Sequence, residues 1–281
     1  MSQPAVERRS TPRPRPAAPP GAAGWREELE GIESKFSHLR AEWRAADASS
    51  ACPRRQAEAC LDRAATSDDP AIVEALAARA LAIAPNSGRA WLAAGLLRIG
   101  RGDGEGVRDL VRSVELDPRR SHQAFAAIGA FLRQNPSWPG GVEAREAIAA
   151  LSDKAGLWTA ERDAGPRALE PFAPCGFAPA EEAEIHAALA ENPNIVSAIL
   201  VRRETSEWTH VPAFLATIRL DDGERGGSPA MEEAASVRLA RTLDVIAVYG
   251  SVRAIYPAGH VERFIAWRMN RASGAFRFFR H

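Results

Sequence analysis

Hydrophobic and polar positions divide the chain into contrasting stretches. Trp25, Leu29, Ile32, Phe36, Leu39 and Trp43 follow at spacings alternating between four and three, the a/d stripe of an amphipathic heptad helix. Glu27, Glu28, Glu30 and Glu33 crowd its first half, Arg40 and Arg44 its second, as a helix dipole favours. The stripe is expected to pack on the following helices, with a homodimeric coiled coil through residues 25–43 as the alternative. From 53 to 151 the chain reads as helix after helix. Two of these helices stop at a proline, in Ala80-Leu81-Ala82-Ile83-Ala84-Pro85 and in Ser113-Val114-Glu115-Leu116-Asp117-Pro118, since proline supplies no N–H to continue the ladder.

Regular patterning lapses over 156–178, where Pro166, Pro171 and Pro174 suggest a linker. Beyond it the period changes. Pro179–Asn192 predicts a helix opened by Glu181, Glu182 and Glu184. Ile195–Arg203 and Pro212–Leu220 are aliphatic and β-branched, predicting strands. Asp221-Asp222-Gly223 closes the second, and Ser228-Pro229 supplies an N-cap and first turn for another helix. Val245–Tyr249 and Val252–Tyr256 predict two more strands. The expected fold class is therefore multidomain α and α+β. It comprises an arm (1–24), a heptad helix (25–50), a helical-repeat α-solenoid (51–155), a linker (156–178) and an α+β domain with an antiparallel sheet (179–281).

Charge and composition then narrow the function. The 281 residues carry 36 basic and 36 acidic side chains, which argues against a wholly polycationic nucleic-acid binder. Hydrophobic residues make up 46%, enough for a core. The most apolar window, Trp91 to Leu97, stops at Arg98, so no transmembrane helix is expected. The opening residues lack the apolar run of a secretory signal, and Cys52, Cys60 and Cys175 do not make a disulfide framework. A cytoplasmic, bacterial setting is the expectation. All basic residues but Lys35 and Lys154 are arginine, which a GC-rich genome explains as readily as phosphate or carboxylate recognition.

The arm concentrates Arg8, Arg9, Arg13 and Arg15 among six prolines, a solvated tail or a docking segment. At the other end Arg268, Arg271, Arg277 and Arg280 alternate with Phe264, Trp267, Phe276, Phe278 and Phe279. Such interleaving can stack bases or sit at a membrane surface; more commonly the aromatics close a core edge and the arginines line it. Gly100, Gly102, Gly104 and Gly106 imitate a phosphate loop, but Asp103 and Glu105 fill the gaps and no Lys-Ser/Thr follows. The six histidines show no metal-ligand spacing, and a Cys175–His186 dyad would need the fold to bring the two together. No catalytic residue, metal or cofactor is expected.

Two resemblances add to this reading. Ala90-Trp91-Leu92-Ala93-Ala94-Gly95 recurs 34 residues later as Ala124-Phe125-Ala126-Ala127-Ile128-Gly129. With the helix-ending prolines, residues 53–151 resemble the tetratricopeptide repeat, although Arg98 stands where that family usually has an aromatic; an unrelated helical bundle is the alternative. Residues 172–281 carry Asn192-Pro193, Ile195, Ala198 and Leu200 in a strand and Ala275-Phe276-Arg277-Phe278-Phe279-Arg280 at the end. They resemble the C-terminal domain of the SseB-like (enhanced serine sensitivity) family, which implies an α+β fold and no catalytic residue.

The resulting expectation is a non-enzymatic adaptor whose repeat groove takes a protein partner, with Arg89, Arg98, His122 and Gln123 as polar contacts. Trp91, Gly95, Phe125 and Gly129 are expected to pack the repeat. The alternative is a nucleic-acid-associated factor using the basic arm and tail.

Overall fold

The computed structural model describes residues 52–221, 239–255 and 260–280. The basic arm, the heptad stripe and the helix start at Ser228 lie outside the described residues.

Among the described residues, six α-helices precede the sheet: α1 (Pro53–Ala65), α2 (Pro70–Ile83), α3 (Gly88–Gly100), α4 (Glu105–Leu116), α5 (Ser121–Gln134) and α6 (Gly141–Asp163). Local chemistry sets their ends. The Asp69 side chain caps α2, accepting from the Ala71 N–H, and Pro70 takes the first turn. Ser87 caps α3 through the Ala90 N–H, and α2 and α4 stop before Pro85 and Pro118 as the sequence predicts. Helix α6 runs 23 residues to Asp163, eight positions into the segment read as linker. Trp158 explains this: it lies one face along from Ala144 and Ala155 and is wholly buried.

The repeat of small residues has a different weight at each site. A Cβ on Gly95 would sit 2.8 Å from Leu110 Cγ and 2.9 Å from the Gly106 carbonyl, so α3 and α4 touch backbone to backbone. A Cβ on Gly129 would meet only Arg133 Nη1, at 3.5 Å. The expectation that Gly129 is a packing residue equivalent to Gly95 is thus corrected. Trp91 is buried, with its Nε1 donating to the Pro85 carbonyl at 2.8 Å, and Phe125 is half-buried. Gly95→Ala is expected to cost about 1–3 kcal/mol by overpacking. Gly129→Ala is expected to be neutral or to stabilise by up to about 1 kcal/mol through helix propensity. Thermal unfolding of the two variants against the parent chain checks this opposite pair of signs.

The second half builds a five-stranded sheet from β1 (Phe172–Ala173), β2 (Ile195–Arg203), β3 (Ala213–Leu220), β4 (Ser251–Ile255) and β5 (Phe276–Phe279), with α7 (Pro179–Glu191) and α8 (His260–Arg271). Strand β2 pairs antiparallel with β3 on one side, and on the other with β5 at Ser197–Leu200 and β1 at Arg202–Arg203. Strand β4 runs parallel to β3. The sheet is therefore mixed, which corrects the expected antiparallel sheet. The cause lies between β3 and β4: a crossover containing helix 239–247 returns the chain to the end of β3 where it began.

The same helix corrects the strand predicted at Val245–Tyr249. Leu239, Leu243 and Ile246 fall at helical spacing and pack on the sheet core, and the turn comes only at 248–249. The final strand forms as expected, with Phe276 and Phe278 buried and Arg277 and Phe279 outward.

Strand β3 is buried along Ala213–Ile218 because both faces are covered. Ala198, Leu200, Phe214, Ala216 and Ile218 face a core closed by Ile185 and Leu189 of α7 and by Ile246. Val201, Leu215 and Ile255 face Ile265 and Met269 of α8. The helical half joins the sheet half through shared core. Trp208 and Val211, from the β2–β3 loop, are in one cluster with Val114, Phe131 and Trp158, and Trp208 Nε1 donates to the Glu115 carbonyl at 2.8 Å. Among the described residues, no helix is long and apolar enough to cross a membrane.

Candidate functional site

Two concavities stand out. The first is an apolar groove of about 680 Å³ along α1, α3 and α5. Leu61, Ala64 and Ala65 of α1, Pro70 and Val73 of α2, and Leu92, Ala93, Leu96 and Leu97 of α3 form its walls. Positions 89, 92/93, 96/97 and 100 lie on one face of α3, the helical spacing that a sequence shows once the helix is placed. The charged residues that line the groove are Arg89, Arg101 and Arg120, with Gln123 beside them.

These arginines are held, not loose. Arg89 reaches Glu58 at 2.5 Å and Asp62 at 2.7 Å, tying α3 to α1. Burial works against the Arg89 charge, but the two carboxylates outweigh it and hold its pKa above the ordinary guanidinium value. Arg101 grips Glu74 through both nitrogens, at 2.6 and 2.5 Å, and Arg120 reaches Asp117 at 3.2 Å. The rim is thus a set of fixed ion pairs, its arginines neutralised by Glu58, Asp62, Glu74 and Asp117, around an apolar floor.

The structure thus brings together Arg89 and Gln123 from the expected contacts. Arg98 is elsewhere: it shares the face of Gly95 three residues earlier, turns toward α4 and pairs with Asp109 at 3.1 Å and Asp103 at 3.9 Å. His122 is exposed, one position round α5 from Gln123, and does not line the groove. Arg101, Arg120 and the apolar walls were not singled out in the sequence; the face shared with Arg89 on α3 was the signal that could have found Leu96 and Leu97.

Arg98 instead supports a buried carboxylate. Asp109 is 6% exposed. Burial raises its pKa to about 6 despite Arg98, and Asp103 and Glu105 push the same way. A carboxyl held above its unfolded value of 3.8 contributes stability that is full below pH 4 and lost as pH climbs through 6. At 1.36 kcal/mol per pH unit the loss approaches roughly 3 kcal/mol. Asp109→Asn, which cannot ionise, is expected to flatten the decline in unfolding free energy between pH 4 and 6.5; chemical denaturation at several pH values reads that slope.

The second concavity is a cleft of about 980 Å³ between α1, the 83–89 and 116–120 segments, and the 244–250 turn. Arg54, Arg55, Arg119, Glu58, Asp62, Glu181 and Asp244 line it alongside Arg89, Arg120 and Asp117, so its charge is balanced and selects no ligand sign. Many of these groups bind the halves together. Arg119 donates to the Ala247 carbonyl at 2.8 Å and to Asp117 at 2.7 Å, and Arg54 donates to the Tyr249 carbonyl while lying 5.7 Å over its ring. The Tyr249 hydroxyl donates to Glu184 and contacts Cys52 Sγ at 3.7 Å; burial first, then Glu184, push its pKa upward.

The basic tail is also committed to the fold. Arg277 donates to the Asn270 carbonyl at 2.7 Å and that of Ala272 at 3.0 Å, capping α8. Arg280 donates to the Ala190 and Asn192 carbonyls at 2.8 and 2.7 Å, capping α7. Arg268 reaches the Ala168 carbonyl at 2.6 Å and lies over Phe172. Arg271 alone of the four stacks outward, 4.2 Å over the exposed Trp267 ring. Helix C-termini leave carbonyls without partners, and a guanidinium satisfies several at once.

Cys175 does not meet His186 as a dyad. Its thiol donates to the Leu200 carbonyl at 3.1 Å and burial raises its pKa to about 11, while the His186 ring packs edgewise on Phe278. Such a thiol is protonated at neutral pH and a poor nucleophile. Among the described residues no group of three or more His, Cys, Asp or Glu converges as a metal site. No family model, curated protein or solved structure matches this chain.

Proposed function

We propose that this chain is a non-enzymatic adaptor, acting in the cytoplasm, that receives an amphipathic segment of a protein partner in the groove along α1, α3 and α5. The observation that carries the reading is the groove itself: aliphatic walls with a rim of arginines locked into ion pairs. That combination suits a helix presenting apolar side chains inward and polar ones outward. The 34-residue offset of Trp91 and Phe125, each on the first helix of a pair, supports a tetratricopeptide-like arrangement, in which such helices line the binding face. The sheet half, SseB-like by resemblance, then serves as a second contact surface.

A second reading, nucleic-acid association, has one observation in its favour. Phe264 and Trp267 are exposed and stacked at 5.7 Å with Arg271 over the indole. The use of Arg268, Arg277 and Arg280 on backbone carbonyls weighs against it. The full chain used as bait in lysate at two salt concentrations separates the two. Retention of a specific protein at high salt is expected. Recovery of nucleic acid alone, lost steeply as salt rises, would overturn the adaptor reading.

A further inference from the structure

We infer that the outer edge of β5 joins two copies of this chain about a two-fold axis, so that their sheets run on as one. Among the described residues, β5 pairs with β2 alone. The Arg280 N–H donates to the Val196 carbonyl at 2.9 Å, which fixes the phase of that ladder. Phe276, Phe278 and Arg280 therefore turn their backbone groups toward β2, and Arg277 and Phe279 turn theirs away from it. Those outward N–H and C=O groups meet no backbone partner among the described residues. Natural sheets guard such an edge with proline, a bulge or a projecting charge. Strand β5 has neither proline nor bulge, and the Arg277 guanidinium is folded back onto the carbonyls of Asn270, Ala272 and Ala275. Phe279 beside it is 49% exposed.

A second copy matches this edge. With Phe278 opposite its own equivalent, Arg277 of each copy faces Phe279 of the other, and the outward groups of these residues are in the phase that exchanges hydrogen bonds. Both N–H and both C=O groups of each edge find partners, and no arginine opposes an arginine. The helices allow the approach. Helix α7 lies over β2 and β5, so the two copies of it come about two strand spacings apart, roughly 10 Å, an ordinary distance between packed helices. His186 packs on Phe278 and so marks the side of α7 nearest the axis. There, between Glu182 and Glu191, the exposed residues are Ala183, His186, Ala187 and Ala190, mostly small. An unrelated extended peptide gains the same backbone bonds but not this helix contact, which favours a second copy as the occupant.

The test is sedimentation of the purified full chain at concentrations up to about 100 μM, with hydrogen exchange read at the Arg277 amide. A concentration-dependent species of twice the chain mass is expected, in which that amide exchanges roughly tenfold more slowly than in the monomer. Phe279→Pro removes an outward N–H without touching the β2 ladder, and Phe279→Lys places a charge on the edge. Each, with its fold checked by thermal unfolding, is expected to sediment as a monomer; where the proline variant is unfolded, the lysine variant is read in its place. A monomeric parent chain at every concentration would overturn the inference. So would a dimer that persists in the folded variant, or one whose Arg277 amide exchanges as freely as in the monomer, because the contact then lies elsewhere.

Discussion

Trp158→Ala is expected to lower stability by about 3–5 kcal/mol, the range for truncating a fully buried aromatic, and the thermal midpoint by roughly 6–20 °C. Trp158 has no exposed surface and belongs to the cluster that also contains Val114 and Phe131 of the helical half and Trp208 and Val211 of the β2–β3 loop. Truncation opens a cavity at the place where the two halves share their interior. Calorimetry should therefore show one cooperative transition in the parent chain and a broadened or split one in the variant. Trp158→Phe should cost much less than the Ala variant. Its indole N–H has no hydrogen-bond partner among the described residues, so Phe removes an unsatisfied donor along with part of the volume. Equal losses for Ala and Phe would show that the volume is not what matters there.

Arg203 carries the other large expected effect. Its side chain and that of Glu170 are 10% and 11% exposed. Two nitrogens reach the Glu170 carboxylate, at 2.8 and 3.1 Å, and a third donates to the Arg162 and Ala164 carbonyls at the end of α6. Arg203→Met strips the largely buried Glu170 carboxylate of its counter-charge, leaving it the Arg167 N–H alone, and leaves two carbonyls without this donor, which should cost up to about 3–5 kcal/mol. Arg203→Lys should recover only part of this, because an ammonium cannot match the fork. Adding Glu170→Gln to Arg203→Met should restore much of the loss, since the penalty comes from the stranded charge. A double-mutant cycle by denaturant unfolding measures the coupling; additive losses would show that the pair does not act as a unit.

These two residues also show where the sequence was legible and where it was not. Strand β2 and helix α7 were readable because an aliphatic, β-branched run and a proline-led acidic first turn are local properties. The helices from Pro53 to Asp163 were readable in the same way, from proline stops and helical composition. What failed was decided at a distance. Gly95 and Gly129 occupy equivalent places in the echo, yet only Gly95 meets a facing backbone. Val245–Tyr249 has strand composition, but a crossover to the parallel β4 requires a helix there. Arg98 and Arg89 look alike in the sequence, and only the face of α3 assigns one to Asp109 and the other to the groove. The arginines of the tail suggested a basic surface, and the fold uses most of them on the carbonyls of α7 and α8. Residue type suggested the chemistry, but partner geometry decided it.

The groove along α1, α3 and α5, and not the exposed aromatic face of α8, is the proposed seat of the partner. Two full-length variants test it side by side in lysate: Leu97→Glu, half-buried on the groove wall, and Trp267→Glu, 52% exposed on α8. Unfolding of each is measured alongside, so that loss of fold is told apart from loss of contact. Leu97→Glu, still folded, is expected to lose the salt-resistant partner while Trp267→Glu retains it. Retention by folded Leu97→Glu with loss in Trp267→Glu would move the site to α8.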